Sequence, residues 1–108
     1  MNLLALVKYF RQGGTFQQFC DDQNLDHEAE VVEIYMEKPF AVNNELAFFE
    51  IEKTEGQSEF IDEGKTYFNL FDFYYFLDAI EESKGNSLQS ISDEQLAEKL
   101  FSYAIKDA

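Results

Sequence analysis

Cys20 and His27, seven residues apart, are the chain's only thiol and only imidazole. Such a pair performs nucleophilic chemistry when a basic neighbour lowers the thiol pKa. No such neighbour is close in the sequence, so a small buried hydrophobe and a surface imidazole are expected. Asp78 and Glu82, four residues apart on a helical segment, have the spacing of a carboxylate pair. Without a second pair or a His at ligand spacing they read as a solvated face. Asp22, Asn24 and Asp26 fall on ligand positions 1, 3 and 5 of a calcium loop, with Glu33 at position 12. His27 stands where the sharp turn requires Gly, and a strand follows where a helix should, so chance spacing explains the match. There is no P-loop, GxGxxG, GxSxG, HExxH or CxxC. No catalytic residue, metal or cofactor is expected, and the chain reads as a binding protein rather than an enzyme.

The charge balance narrows the partners. Eight Lys and Arg stand against 22 Asp and Glu in 108 residues, a formal charge of -14. Direct contact with nucleic acid needs a basic footprint, and an anionic membrane would repel this chain. A lone cysteine makes no internal disulfide, which suits a reducing compartment. The apolar run from Leu3 to Val7 has no basic residue before it and no cleavage site after it. It is also far short of the roughly 20 apolar residues of a spanning helix. The expectation is a soluble cytoplasmic protein forming a single domain over residues 1–108.

The charge is unevenly distributed. Residues 1–20 carry +2, residues 21–63 carry -12, and residues 64–108 carry -4. Most of the negative charge thus falls on expected strands and the loop leading into them. A sheet presenting Glu30, Glu33, Glu37, Glu45, Glu50, Glu52, Glu59 and Asp62 would carry a strong negative potential. That charge is either a solubility device or a docking surface for a basic partner, and the pattern admits both.

Helical spacing of Leu3, Leu4, Leu6, Val7 and Phe10 predicts a first helix stopped by Gly13-Gly14. Thr15 to Gln18 fits a capping box for a short second helix through Phe16, Phe19 and Cys20, with Leu25 packing back on it. Val32, Ile34 and Met36 then alternate with Glu33 and Glu37, with Val31 and Tyr35 on the other side, predicting a strand that ends before Pro39. Leu46 to Lys53 reads as a second strand, and Ser58 to Asp62 as a third. A further strand is admissible at Lys65 to Phe68, after which Asn69 reads as the N-cap of a helix running to Lys84 and Gly85. Residues 86–91 read as a polar linker pinned by Leu88 and Ile91. Ser92 to Gln95 is a second capping box, opening a final helix with Leu96, Leu100, Phe101 and Ala104 on one stripe. The fold class expected is α+β, an antiparallel three-stranded meander packed with helices in the order ααβββαα.

Seven aromatics crowd into residues 66–76. Most belong to the core, but one domain is not expected to hide them all. Tyr74 and Tyr75 point in different directions on a helix, so at least one of them should reach the surface, and both are candidate partner anchors. The same surplus would suit a weak homodimer, and a homodimeric adaptor or structural subunit is the alternative of another class.

A strongly acidic single domain without catalytic residues resembles the small bacterial immunity proteins that neutralise a cognate toxin. The stretches Glu30 to Glu37 and Asn44 to Glu50 look like the acid-studded strands such proteins can show. The resemblance is one of kind and carries no diagnostic motif. It implies inhibition of a basic toxin domain, a nuclease or another nucleic-acid-directed toxin, by an acidic face covering its cleft. A nucleic-acid-mimicking inhibitor of a DNA- or RNA-binding protein is the alternative of the same type.

Overall fold

The computed structural model describes residues 1–85 and 91–106. Its first helix, α1 (Leu3–Arg11), forms where the spacing predicts it and buries Leu3, Leu6, Val7 and Phe10. Asn2 caps it, with Oδ1 accepting the Ala5 amide at 2.9 Å. Gly13, at φ +100°, takes the left-handed conformation that ends the helix, and the Gly14 amide donates back to the Tyr9 carbonyl at 3.0 Å. Gly14 has its own reason to lack a side chain, since a Cβ there would lie 2.2 Å from the Tyr9 ring. Thr15 Oγ1 accepts the Gln18 amide at 3.2 Å and starts α2 (Phe16–Asp22). Only half of the expected capping box forms, because Gln18 Nε2 donates to Asp22 at 2.9 Å instead.

Four strands follow, β1 (Val32–Met36), β2 (Leu46–Glu50), β3 (Glu59–Asp62) and β4 (Lys65–Asp72). They form one antiparallel sheet in the order β2-β1-β4-β3. The α+β class agrees with the sequence reading, but the three-stranded meander and the ααβββαα order do not. The second strand stops at Glu50, and Ile51–Thr54 forms a helical turn, α3. The strand admitted at Lys65 to Phe68 continues to Asp72, and helix α4 (Phe73–Gly85) begins three residues later than expected. Aromatic residues at 67, 68 and 71 suit either a buried strand or a buried helix, and pairing with β1 decides between them. A register slip opposite Ile34 and Tyr35 lets both Leu70 and Phe71 turn inward. Asp72 caps α4 in place of Asn69, its Oδ1 accepting the Tyr75 amide at 2.8 Å.

Because β2 and β3 lie on opposite edges, the chain joining them has to cross a face of the sheet. Residues 51–58 make that crossing as a strap over Glu33 and Tyr35. Val32, Ile34 and Met36, on the other face, pack into the core shared with the helices. Under the strap, Phe49 meets the rings of Tyr35, Phe60 and Tyr67 edge-on, with centroids 5.4, 5.1 and 5.4 Å away. Every residue of β1 is therefore buried. At the other face, Phe10, Phe19, Phe73 and Phe76 form the aromatic centre of the main core.

The final helix, α5 (Asp93–Lys106), has a complete capping box. Ser92 Oγ accepts the Gln95 amide at 3.1 Å while Gln95 Oε1 accepts the Ser92 amide at 2.9 Å. Arg11 locks α1 to this end, with Nη1 donating to Asp93 Oδ1 at 2.9 Å and to the Ile91 carbonyl at 3.0 Å. Ile91 packs against the core, whereas Leu88 and the rest of the linker reading lie outside the described residues.

Candidate functional site

The thiol is not arranged for catalysis. Cys20 is fully buried, and burial, aided by the charges of Asp21, Glu50 and Asp26, pushes its pKa up from 9.0 to about 11. A nucleophilic cysteine needs the opposite shift and access. His27 is exposed on the loop after α2, and Asp78 and Glu82 are exposed on α4. The calcium-loop positions are not assembled: Glu33 lies under the strap, and Asp26 Oδ1 accepts the Glu28 amide at 2.9 Å. Among the described residues, no group of three or more His, Cys, Asp and Glu could hold a metal ion.

The acids expected to share one sheet face are dispersed, because both faces are covered. Glu33 is buried, at 9% exposure. Its Oε2 accepts Asn69 Nδ2 at 2.8 Å, its Oε1 accepts Thr54 Oγ1 at 3.1 Å, and the Tyr35 hydroxyl stands 3.3 Å away. That hydroxyl makes its short bond to the Gln57 carbonyl, at 2.5 Å. The carboxylate thus fastens the strap to the sheet and is buried beneath it, not presented to a partner as expected. Glu37 and Glu45 lie at one end of the β1–β2 pair, with Glu45 joined to the N-terminal ammonium. Glu59 and Asp62 belong to the edge strand β3, and Asp62 is tied to Lys53 at 3.3 Å.

Glu30, Glu50 and Glu52 do come together, at the opposite end of that pair. The Schellman closure of α2 begins this corner. Asn24, at φ 58°, reverses the chain, and the Leu25 amide donates to the Cys20 carbonyl at 2.8 Å. Leu25 packs inward, so the residues after it are led across the end of β2. There Glu50 Oε2 accepts the Asp26 amide at 2.7 Å and Glu52 Oε2 accepts the Glu30 amide at 3.1 Å. Two carboxylates therefore hold a loop that itself carries Asp26, Glu28 and Glu30, all exposed. The side chains of Glu28 and Glu30 make no hydrogen bond or ion pair among the described residues. The segment's two lysines bring no compensation to the corner. Lys53 serves Asp62, and Lys38 rests over Phe40 and Phe68, with Nζ 4.3 Å from the nearer ring centre.

Tyr74 flanks this corner. It is 62% exposed, yet its hydroxyl donates to the Glu30 carbonyl at 3.1 Å, which holds the ring in place. Tyr75 is half-buried and stacks on Tyr103 of α5 at 4.4 Å. Of the seven aromatics in residues 66–76, only Tyr74 is exposed. Beside it opens a depression of about 170 Å³ with a floor of Phe16, Val32, Phe73 and Leu77. His27, Glu30 and Tyr74 stand at its rim.

Sequence reasoning missed Asp26 and Glu28 as members of this corner, although Asn24 after a helix end and the Asp26-x-Glu28 turn were signals for it. No described helix is long and apolar enough to cross a membrane. Set against protein-family models, curated proteins and solved structures, the chain matches none of them.

Proposed function

We propose that this chain is a non-enzymatic binding protein that holds a basic protein partner at the acidic corner, as an immunity protein holds its toxin. One observation carries the reading. Glu50 and Glu52 spend their hydrogen-bonding capacity on fixing a loop of like charge, an arrangement that costs stability through repulsion. Solubility alone needs only scattered charge, with no fixed corner. A rigid carboxylate array complements a cleft lined with Lys and Arg for phosphate, such as that of a nuclease or another nucleic-acid-directed toxin. It steers the encounter, and Tyr74, already ordered, serves as an anchor that slows dissociation. The partner is a protein in the cytoplasm, and neither nucleic acid nor membrane.

The test is affinity capture from the source cells, run in parallel with a Glu28→Lys/Glu30→Lys chain. One basic protein should be retained by the native chain, be lost in the double variant and elute at about 0.5 M salt. Equal retention of the same proteins by both chains would contradict the reading. A partner encoded immediately upstream as a basic toxin domain would assign the immunity class.

A further inference from the structure

We infer that the depression beside the acidic corner seats a single arginine side chain of the partner. This rests on the reading of the chain as a binder of a basic protein and names what that protein must present. The size sets the scale. About 170 Å³ holds five or six waters at roughly 30 Å³ each. That is the size of one side chain, below the roughly 300 Å³ at which small-molecule sites begin. The chemistry sets the occupant. Val32 and Phe73, both buried, with half-buried Phe16 and Leu77, offer an apolar floor for a methylene stem. Glu30 at the rim has a carboxylate with no bond of its own, the acceptor a guanidinium engages through two parallel N–H donors. The Tyr74 ring, exposed but tethered to the Glu30 backbone, gives the planar cation a fixed surface to stack on. No Lys or Arg lines the depression to compete for Glu30. A neutral or acidic side chain would fill the floor and leave the rim uncompensated, and a short cation would not reach both.

The probe is N-acetyl-arginine amide, titrated into the ¹⁵N-labelled chain and followed by NMR. Its uncharged isostere, N-acetyl-citrulline amide, is the control. Amide shifts should saturate at about millimolar concentration, as expected for so few atoms, and centre on Phe16, Val32, Phe73, Tyr74 and Leu77. Citrulline should bind about tenfold more weakly, and Glu30→Gln should weaken arginine by about fivefold. Tyr74→Leu should weaken it also, and both variants are surface changes that leave the rest of the spectrum native. Equal binding of citrulline, or unsaturable shifts spread over all the carboxylate-bearing residues, would overturn the seat. Capture of a basic partner through Glu28 and Glu30 would still stand in that case. Saturable arginine binding with no loss of capture in the double variant would remove the proposed function and, with it, the partner's arginine from the seat.

Discussion

Glu33 is the residue on which the strap depends, and its replacements separate charge from hydrogen bonding. Glu33→Ala leaves Thr54 and Asn69 without their buried acceptor and should destabilise by about 3 kcal/mol. Glu33→Gln keeps one carbonyl oxygen and should cost about half as much. Urea unfolding at pH 7 measures both, and a change below about 0.5 kcal/mol for the Ala variant would show that the network does not hold the strap. Cys20 makes a prediction in pH. Its folded pKa is raised, so the stability it contributes is intact below pH 9 and declines as pH rises toward about 11. The loss is roughly 2–3 kcal/mol across that window, and Cys20→Ala should flatten it. Tyr35, also raised above 10.0, chiefly by burial, adds a loss beginning above pH 10 that the Cys20 variant retains. The spacing of Glu30, Glu33 and Glu37 among apolar residues could not distinguish Glu33 from the other two. Its burial is set by Thr54 and Asn69, 21 and 36 residues away.

Among the elements, α1, α2 and α5 were legible because their caps and stripes are local. Asn69 and Asp72 show where local signals run out. Both are good cap residues, and β1 pairing absorbed the first into β4, leaving the second to start α4. The strap was illegible for a related reason: Leu46 to Lys53 has strand composition throughout, and only the placement of β3 at the far edge forces the chain to turn at Ile51. Thr54 is the strap's fully buried contact, its hydroxyl donating to Glu33 and accepting the Gly56 amide at 3.3 Å. Thr54→Val keeps the volume and removes both bonds, so a loss of about 1–2 kcal/mol is expected. Amide hydrogen exchange should localise the weakening to residues 51–58 and the adjoining parts of β1 and β4. Uniform weakening across α1 and α5 as well would mean that the strap is not a separate cooperative contact.

At the scale of the whole molecule, the concentration of -12 within residues 21–63 was legible from composition, but its shape was not. The acids were expected on one sheet face, and the two covered faces move them to loops and edges, with one dense corner where three chain segments meet. The central claim is that this corner steers a basic partner. Stopped-flow association with the partner retained by the native chain, at low and high salt, tests it most directly. The native on-rate should fall steeply with salt, and Glu28→Lys/Glu30→Lys should lower it about tenfold at low salt and flatten its salt slope. An on-rate and salt slope unchanged by the reversal would contradict the account and leave the corner a solubility device.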